Sequence, residues 1–199
     1  MGDAAATPER RSVIRSTQVA GLAIALIVAG SYISLPIPGS PVPVVLQNMF
    51  VLFTGLILNP AWATGAIALY LVMGALGLPV LAAGAGGMAH FVGPTGGYLL
   101  GYLVAAPLVA LIVVSGKRSE PHALAAHSAR LPVQIAAVVA GTLVIYLPGL
   151  AWLSQTLQTD LGATLLFGFV PFIVGDLFKA IALVAVLRGL PTRVWRALS

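Results

Sequence analysis

Between Thr17 and Arg188 the chain is a succession of apolar stretches, and their length decides what the chain can become. Apolar runs of about 17–25 residues read as helices that cross a bilayer. Such runs fall at 17–34, 45–58, 61–78, 95–115, 132–147 and 163–188. The second is short and is joined to the third by a brief Asn59-Pro60 turn, which predicts a tight hairpin or a tilted pair. Charged residues make up 8 % of the 199, and mean hydropathy is +1.04. Soluble domains carry roughly 25 % charged residues. The reading is an all-α integral membrane protein of six transmembrane helices. A single membrane domain spans 17–190, between an N-terminal tail at 1–16 and a C-terminal tail at 191–199.

The formal net charge of +5 would suit nucleic acid if it were clustered on one soluble surface, but it is not. Arg10, Arg11 and Arg15 precede the first run, Lys117, Arg118 and Arg130 lie between the fourth and fifth, and Arg188, Arg193 and Arg196 close the chain. In a six-helix topology all nine share one side, whereas the loops at 35–44, 79–94 and 148–162 hold no Lys or Arg. The positive-inside rule then puts both termini in the cytoplasm. The basic residues set orientation, and no nucleic-acid partner is implied. An Arg-rich start before an apolar run also resembles a signal peptide. Against that, this run is long and carries small residues four apart, at Gly21, Ala25 and Ala29. A stripe of this kind lets another helix approach closely, either within the chain or from a separate membrane subunit.

Inside the last run, PFIVGDLFKAIALVAVLR, Asp176 and Lys179 interrupt the apolar sequence. A charge at bilayer depth costs roughly 2.5–3.5 kcal/mol on insertion scales, so such residues face an interior and mark functional sites. Three apart on a helix, the two share a face and partly neutralise one another. They serve either as a structural ion pair or as the polar spot of a ligand pocket. Pro171 should start or kink the helix just above them.

Four prolines in Leu35–Val44 predict an extended, stiff external loop, either a lid or a plain connector. Gln47 and Asn48 follow it at the mouth of helix two, as backbone caps or as ligand contacts. Helix three, polar only at Thr64 and Tyr70, reads as packing. The glycine-dense segment Gly74–Tyr102 predicts a non-helical external loop that lines a cavity. It lacks the Lys-Ser/Thr ending of a P-loop. Gly97 and Gly101 form a GxxxG beside Tyr98 and Tyr102. His90, His122 and His127 have no ligand spacing, so no metal is expected. Asp160, with Thr159, caps the last helix. The segment 116–131 reads as a cytoplasmic loop. No Cys is present, and no HExxH, GxSxG or nucleotide-binding signature occurs. Uphill transport by such a chain would draw on an ion gradient or on an ATPase elsewhere.

Four motifs, PVPVVLQNMFVLFTGLIL at 41–58, MGALGLPV at 73–80, GPTGGYLLGY at 93–102 and GDLFK at 175–179, resemble in content and order those of the BioY family. These are the biotin-specific substrate-binding (S) components of energy-coupling factor (ECF) transporters. The resemblance implies a six-helix fold with cytoplasmic termini in a prokaryotic cytoplasmic (inner) membrane. It implies a biotin pocket under the first external loop and no enzymatic activity. It also implies a transmembrane coupling (T) subunit that docks on helix one, where Gly21, Ala25 and Ala29 stand. The T subunit carries a pair of ABC ATPases, so ATP is used by partner chains and this chain binds no cofactor. The family's last-helix Asp and Lys match Asp176 and Lys179, and its aromatic after GPTGG matches Tyr98. Ala85 and Leu99 stand where many members carry Asn and Arg, which shifts expected polar recognition onto Asp176, Lys179, Gln47, Asn48 and the backbone of Gly84, Gly86 and Gly87. Asp176 is expected to take the ureido N–H groups and Lys179 the ureido carbonyl. Three alternatives stay open: another vitamin as ligand, a membrane enzyme using the Asp–Lys pair, or an assembly subunit without ligand. A homo-oligomer also stays open.

Overall fold

The computed structural model describes residues 7–114 and 122–198. Among the described residues the regular structure is helical apart from one short ladder. Helix α1 (Pro8–Tyr32) leads to β1 (Ser34–Leu35) and β2 (Val44–Val45), then α2 (Gln47–Ile57), α3 (Pro60–Ala75), the short α4 (Ala89–Val92), α5 (Gly96–Val113), α6 (His122–Ser128), α7 (Leu131–Leu157), α8 (Leu161–Gly168), α9 (Val170–Gly189) and α10 (Thr192–Leu198). Among the described residues four helices are long and apolar enough to cross a membrane: Ser12–Tyr32, Gly96–Val113, Leu131–Leu157 and Val170–Gly189. Helices α2 and α3 are shorter. At 1.5 Å per residue the 11 residues of α2 rise only about 16 Å, half the hydrocarbon thickness. As the sequence implies, they form a hairpin. Asn59 makes its turn and caps α3 by accepting from the Trp62 N–H at 3.1 Å.

Several boundaries differ from the sequence reading. Helix α1 begins nine residues earlier, at Pro8, capped by the Thr7 side chain. The proline-rich loop is closed at its base by a two-residue antiparallel ladder, Ser34 opposite Val45 and Leu35 opposite Val44. The fifth helix does not end at 147. It runs through Pro148 to Leu157, so the expected 148–162 loop shrinks to a few residues before Asp160, whose carboxylate accepts from the Ala163 N–H at 2.8 Å. Lipid-embedded helices tolerate an internal proline when neighbouring structure accommodates the backbone it disturbs, and here Gly97 and Gly101 of α5 lie close against that stretch. The sixth helix is interrupted at Phe169 (φ −135°, ψ −57°), with Pro171 in the first turn of α9. The glycine-dense loop holds a single 3-10 turn (Ala82–Gly84) and α4. Lys117 and Arg118, with most of the polar part of the expected 116–131 loop, lie outside the described residues; its remainder forms α6.

The core is built on α5 against α7, the most extensive helix pair. The GxxxG glycines make it possible. A side chain on Gly97 would strike the Pro148 carbonyl, and one on Gly101 would come within 2.8 Å of Ile145 Cα. Helices without side chains at the crossing gain van der Waals contact, which is what holds helices together where lipid removes the hydrophobic drive. Helices α1, α2 and α3 complete the bundle around Ile27, Leu56, Ile67 and Tyr70, all essentially without exposure.

The bundle has two distinct ends. At one, α6 and α10 pack beneath the α2–α3 turn: His122 Nε2 lies 2.9 Å from the Gly55 carbonyl, and the His127 ring stacks on buried Trp195 with centroids 5.6 Å apart. Arg130, Arg188, Arg193 and Arg196 are at this end. At the other, the proline loop, the glycine loop and the α8–α9 break converge. Tyr32 donates to the Pro79 carbonyl (2.6 Å), and the Ser40 hydroxyl donates to the Phe167 carbonyl (2.7 Å).

Candidate ligand cavity and family

Beneath the converging loops lies a cavity of about 290 Å³, near the lower end of small-molecule sites, which run from roughly 300 to 1,000 Å³. Its roof is Pro41, Val42 and Pro43 of the proline loop, and one flank is Leu81, Ala82, Ala83 and Ala85 of the glycine loop. Tyr98, Leu99 and Tyr102 of α5, Tyr146 of α7 and Phe172 of α9 form aromatic and apolar walls. Gln47 and Asn48 supply amides from the first turn of α2.

The tyrosines are fixed by their hydroxyls, as buried phenols must be. Tyr98 donates to the Gly168 carbonyl at 2.9 Å, where the α8–α9 break leaves that carbonyl available. Tyr102 donates to Asn48 Oδ1, and Tyr146 donates to Asp176 Oδ2. Tyr146 also stands edge-on to Tyr98 (centroids 6.0 Å, 83°) and to Phe169 (5.1 Å, 90°). This packing holds three rings rigid around the space a ligand would fill.

Asp176 and Lys179 do form the pair their spacing predicts, with Nζ 2.8 Å from Oδ1 and side chains 13 % and 12 % exposed. They line a smaller cleft next to the main cavity, with Asn48, Thr142 and Tyr146. Asn48 and Tyr146 border both spaces and connect them. Lys179 Nζ also donates to the Val45 carbonyl at 2.7 Å, reaching from α9 to the ladder at the base of the proline loop.

Of the other expected residues, Tyr98, Gln47 and Asn48 border the cavity. The three glycines do not: the lining comes from Ala82 and Ala83, just before them, and from Ala85, between Gly84 and Gly86. Gly84 (φ +72°) is turned against Tyr32, where a Cβ would come within 2.7 Å of Cε1, and Gly86 lies against Gly77 and the Leu78 carbonyl. Their role is to fold the loop tightly enough to present Ala82, Ala83 and Ala85. His90 and Thr95 border the cavity as well, and among the described residues no cluster of His, Cys, Asp or Glu is arranged to hold a metal. Gly21, Ala25 and Ala29 are all exposed along α1, while Ala20, Ala23, Ile27 and Gly30 face the bundle.

Tyr146, Phe172 and Tyr70 escape a reading of the sequence. Tyr70, set aside with helix three as packing, is fully buried and accepts a hydrogen bond from Gln47 Nε2 at 2.7 Å. For the two tyrosines the available signal was the polar tip of the ring, since a tyrosine in an otherwise apolar span has to find a partner; Phe172 offers no such signal.

These features define a multi-pass helical membrane protein with a small-molecule cavity walled by aromatic rings at one end of its bundle. The comparisons narrow the class. The chain belongs to the BioY family, whose family model matches residues 5–199. It is 38 % identical over 162 residues to the biotin transporter BioY of Thermotoga maritima, covering 81 % of this chain and 87 % of that protein. To the probable biotin transporter BioY of Pyrococcus horikoshii it is 34 % identical over 176 residues, 88 % of this chain and 96 % of that one. The fold matches the crystal structure of the S-component for biotin from an ECF-type ABC transporter with TM-score 0.78 and 29 % identity, covering 92 % of this chain and 93 % of the other.

Proposed function

We propose that this chain binds biotin from the outer side of a prokaryotic cytoplasmic membrane and delivers it inward as the S component of an ATP-driven ECF transporter. The observation that carries this reading is the cavity of about 290 Å³. Its aromatic and apolar walls suit a fused ring and an alkyl chain, and its few fixed polar groups suit a ureido head. Membership of a family of transporters supports transport over chemistry by the Asp–Lys pair, and the relatives' names support biotin over another vitamin.

In this reading the α2–α3 hairpin counts as two short spans. Six passes then put the tails at 1–16 and 191–199 on one side of a single membrane domain at 17–190, and the basic end of the bundle supports a cytoplasmic location for that side. The cavity consequently opens outward. Gly21, Ala25 and Ala29 dock the T subunit that carries the two ABC ATPases, a role supported by their exposure along α1. Asp176 and Lys179 meet the ureido ring from the smaller cleft that adjoins the cavity at Asn48 and Tyr146, and there a carboxylate and an ammonium match its N–H groups and its carbonyl. Tyr98, Gln47 and Asn48 contact the ligand directly, whereas Gly84, Gly86 and Gly87 act by shaping the loop.

Calorimetric titration of biotin into the purified chain in detergent tests the reading. Saturable binding by the wild type, sharply weakened in Asp176→Asn that elutes and melts as a folded protein, is the expected result. A well-folded wild type that fails to bind biotin overturns it.

A further inference from the structure

Gln47 is 1 % exposed, borders the cavity, and makes a single hydrogen bond through its amide nitrogen, to the Tyr70 hydroxyl at 2.7 Å. Its Oε1 has no partner; among the described residues it is the one buried side-chain polar atom left in that state. A buried amide oxygen without a donor is costly, so in a site built for a ligand it points to a donor that arrives with the ligand.

The orientation of that amide matches the bonds of its neighbour. Tyr70 is fully buried, and its hydroxyl proton goes to the Val80 carbonyl at 3.1 Å. A carbonyl can only accept, and with the proton on that bond what the phenol offers Gln47 is a lone pair. The group of Gln47 that meets Tyr70 is therefore the NH₂, and the group left over is the oxygen. Val80 begins the stretch of the glycine loop that continues into the cavity lining at Leu81. The chain Val80–Tyr70–Gln47 thus runs from the loop, through the interior of α3, to the cavity wall.

We infer that Tyr70 is a positioning residue that sets Gln47 as an obligate acceptor, and that Gln47 Oε1 takes one ureido N–H of the ligand, leaving the other for Asp176. The inference rests on the biotin reading above and adds to it a cause of specificity: the site selects a ring N–H over an N-alkyl group or an acceptor at that position. Tyr70 touches no ligand and does not border the cavity.

The test is a set of dissociation constants for biotin and for two analogues methylated on one or the other ureido nitrogen. They are measured on wild type, Tyr70→Phe and Gln47→Met in detergent. Wild type should discriminate against methylation at one nitrogen by about tenfold more through Gln47, the scale of a buried hydrogen bond. Gln47→Met should erase that part of the discrimination. In Tyr70→Phe the amide loses its anchor and is free to turn its NH₂ to the ligand, and the same discrimination should fall at least about threefold. A purely structural role for Tyr70 would weaken all three ligands alike and leave the ratio unchanged. An unchanged ratio in Gln47→Met, with biotin still bound, overturns the inference and leaves biotin recognition standing; should Tyr70→Phe not fold, that variant alone decides. Failure of wild type to bind biotin overturns both.

Discussion

Cutting the Asp176–Lys179 pair from one side and from both separates what the pair contributes from what its burial costs. In Asp176→Asn the carboxylate that accepts from Tyr146 and from Lys179 is replaced by an amide. One amide oxygen can serve only one of these donors well, and the NH₂ then faces the other. Lys179 keeps the Val45 carbonyl at 2.7 Å but loses its counter-charge in a place where it is only 12 % exposed. Removing one partner of a buried pair costs about 3–5 kcal/mol. The residual exposure and the retained carbonyl bring the expectation to about 2–4 kcal/mol. At roughly 2–4 °C per kcal/mol for a chain of this size, the melting temperature should fall by about 5–15 °C. Lys179→Met alone leaves the carboxylate with Tyr146 as donor and should cost a similar amount. The double variant Asp176→Asn/Lys179→Met removes both charges. Because replacing a whole buried pair by neutral groups is often close to neutral, it should be at least about 2 kcal/mol more stable than the sum of the single changes predicts. Thermal unfolding of all four proteins in one detergent, followed by monodisperse fraction on size-exclusion chromatography, supplies the cycle. Additive losses would refute the argument, since they would mean that the two side chains do not depend on each other. Biotin affinity measured alongside should be lost in all three variants, including the stable double one.

Two further perturbations read other parts of the molecule. Gly101→Val should disrupt the α5–α7 crossing, because even a Cβ would come within 2.8 Å of Ile145 Cα; a loss above about 3 kcal/mol is expected from overpacking with no room to yield, measured as the same thermal shift. His122 lies in α6, outside the spans, and burial lowers its pKa below the usual imidazole value, partly offset by its bond to the Gly55 carbonyl. The unfolded chain therefore takes up the proton more readily, so stability should hold above about pH 6.5 and decline as pH falls below it. His122→Gln should flatten that decline between pH 7.5 and 5; an identical slope would exclude His122 as its source.

Hydropathy made most of the helices legible, because a run of apolar residues in lipid has few alternatives to a helix. The failures share a cause. Pro148 reads as a stop in its own sequence context, and only the absence of side chains at Gly97 and Gly101, almost fifty residues earlier, lets the neighbouring helix lie against the disturbed backbone. The cavity shows the same limit. The spacing of Asp176 and Lys179 predicted their pairing, since it is local geometry, and the prolines marked the roof. That Tyr146 would bridge the pair to the cavity, or that Tyr70 would orient Gln47, depends on which helices adjoin, and no periodicity in a single segment carries that information. The glycine loop was expected to offer its glycines to a ligand; instead they turn the chain so that the neighbouring Ala82, Ala83 and Ala85 face inward.

The bond from Lys179 to the Val45 carbonyl joins a charge within the membrane to the hinge of a surface loop. Val45 pairs with Ser34 at the foot of that loop, and Ser40 fastens its far side to Phe167. Anything that claims the ammonium for itself competes with this anchor. By thermodynamic reciprocity, a loop held more firmly would oppose such a claim by the same free energy with which the claim loosens the loop. Stiffening the loop, for instance with a crosslink placed outside the residues that line the cavity, would therefore alter the affinity beneath it without replacing a group in the cavity wall.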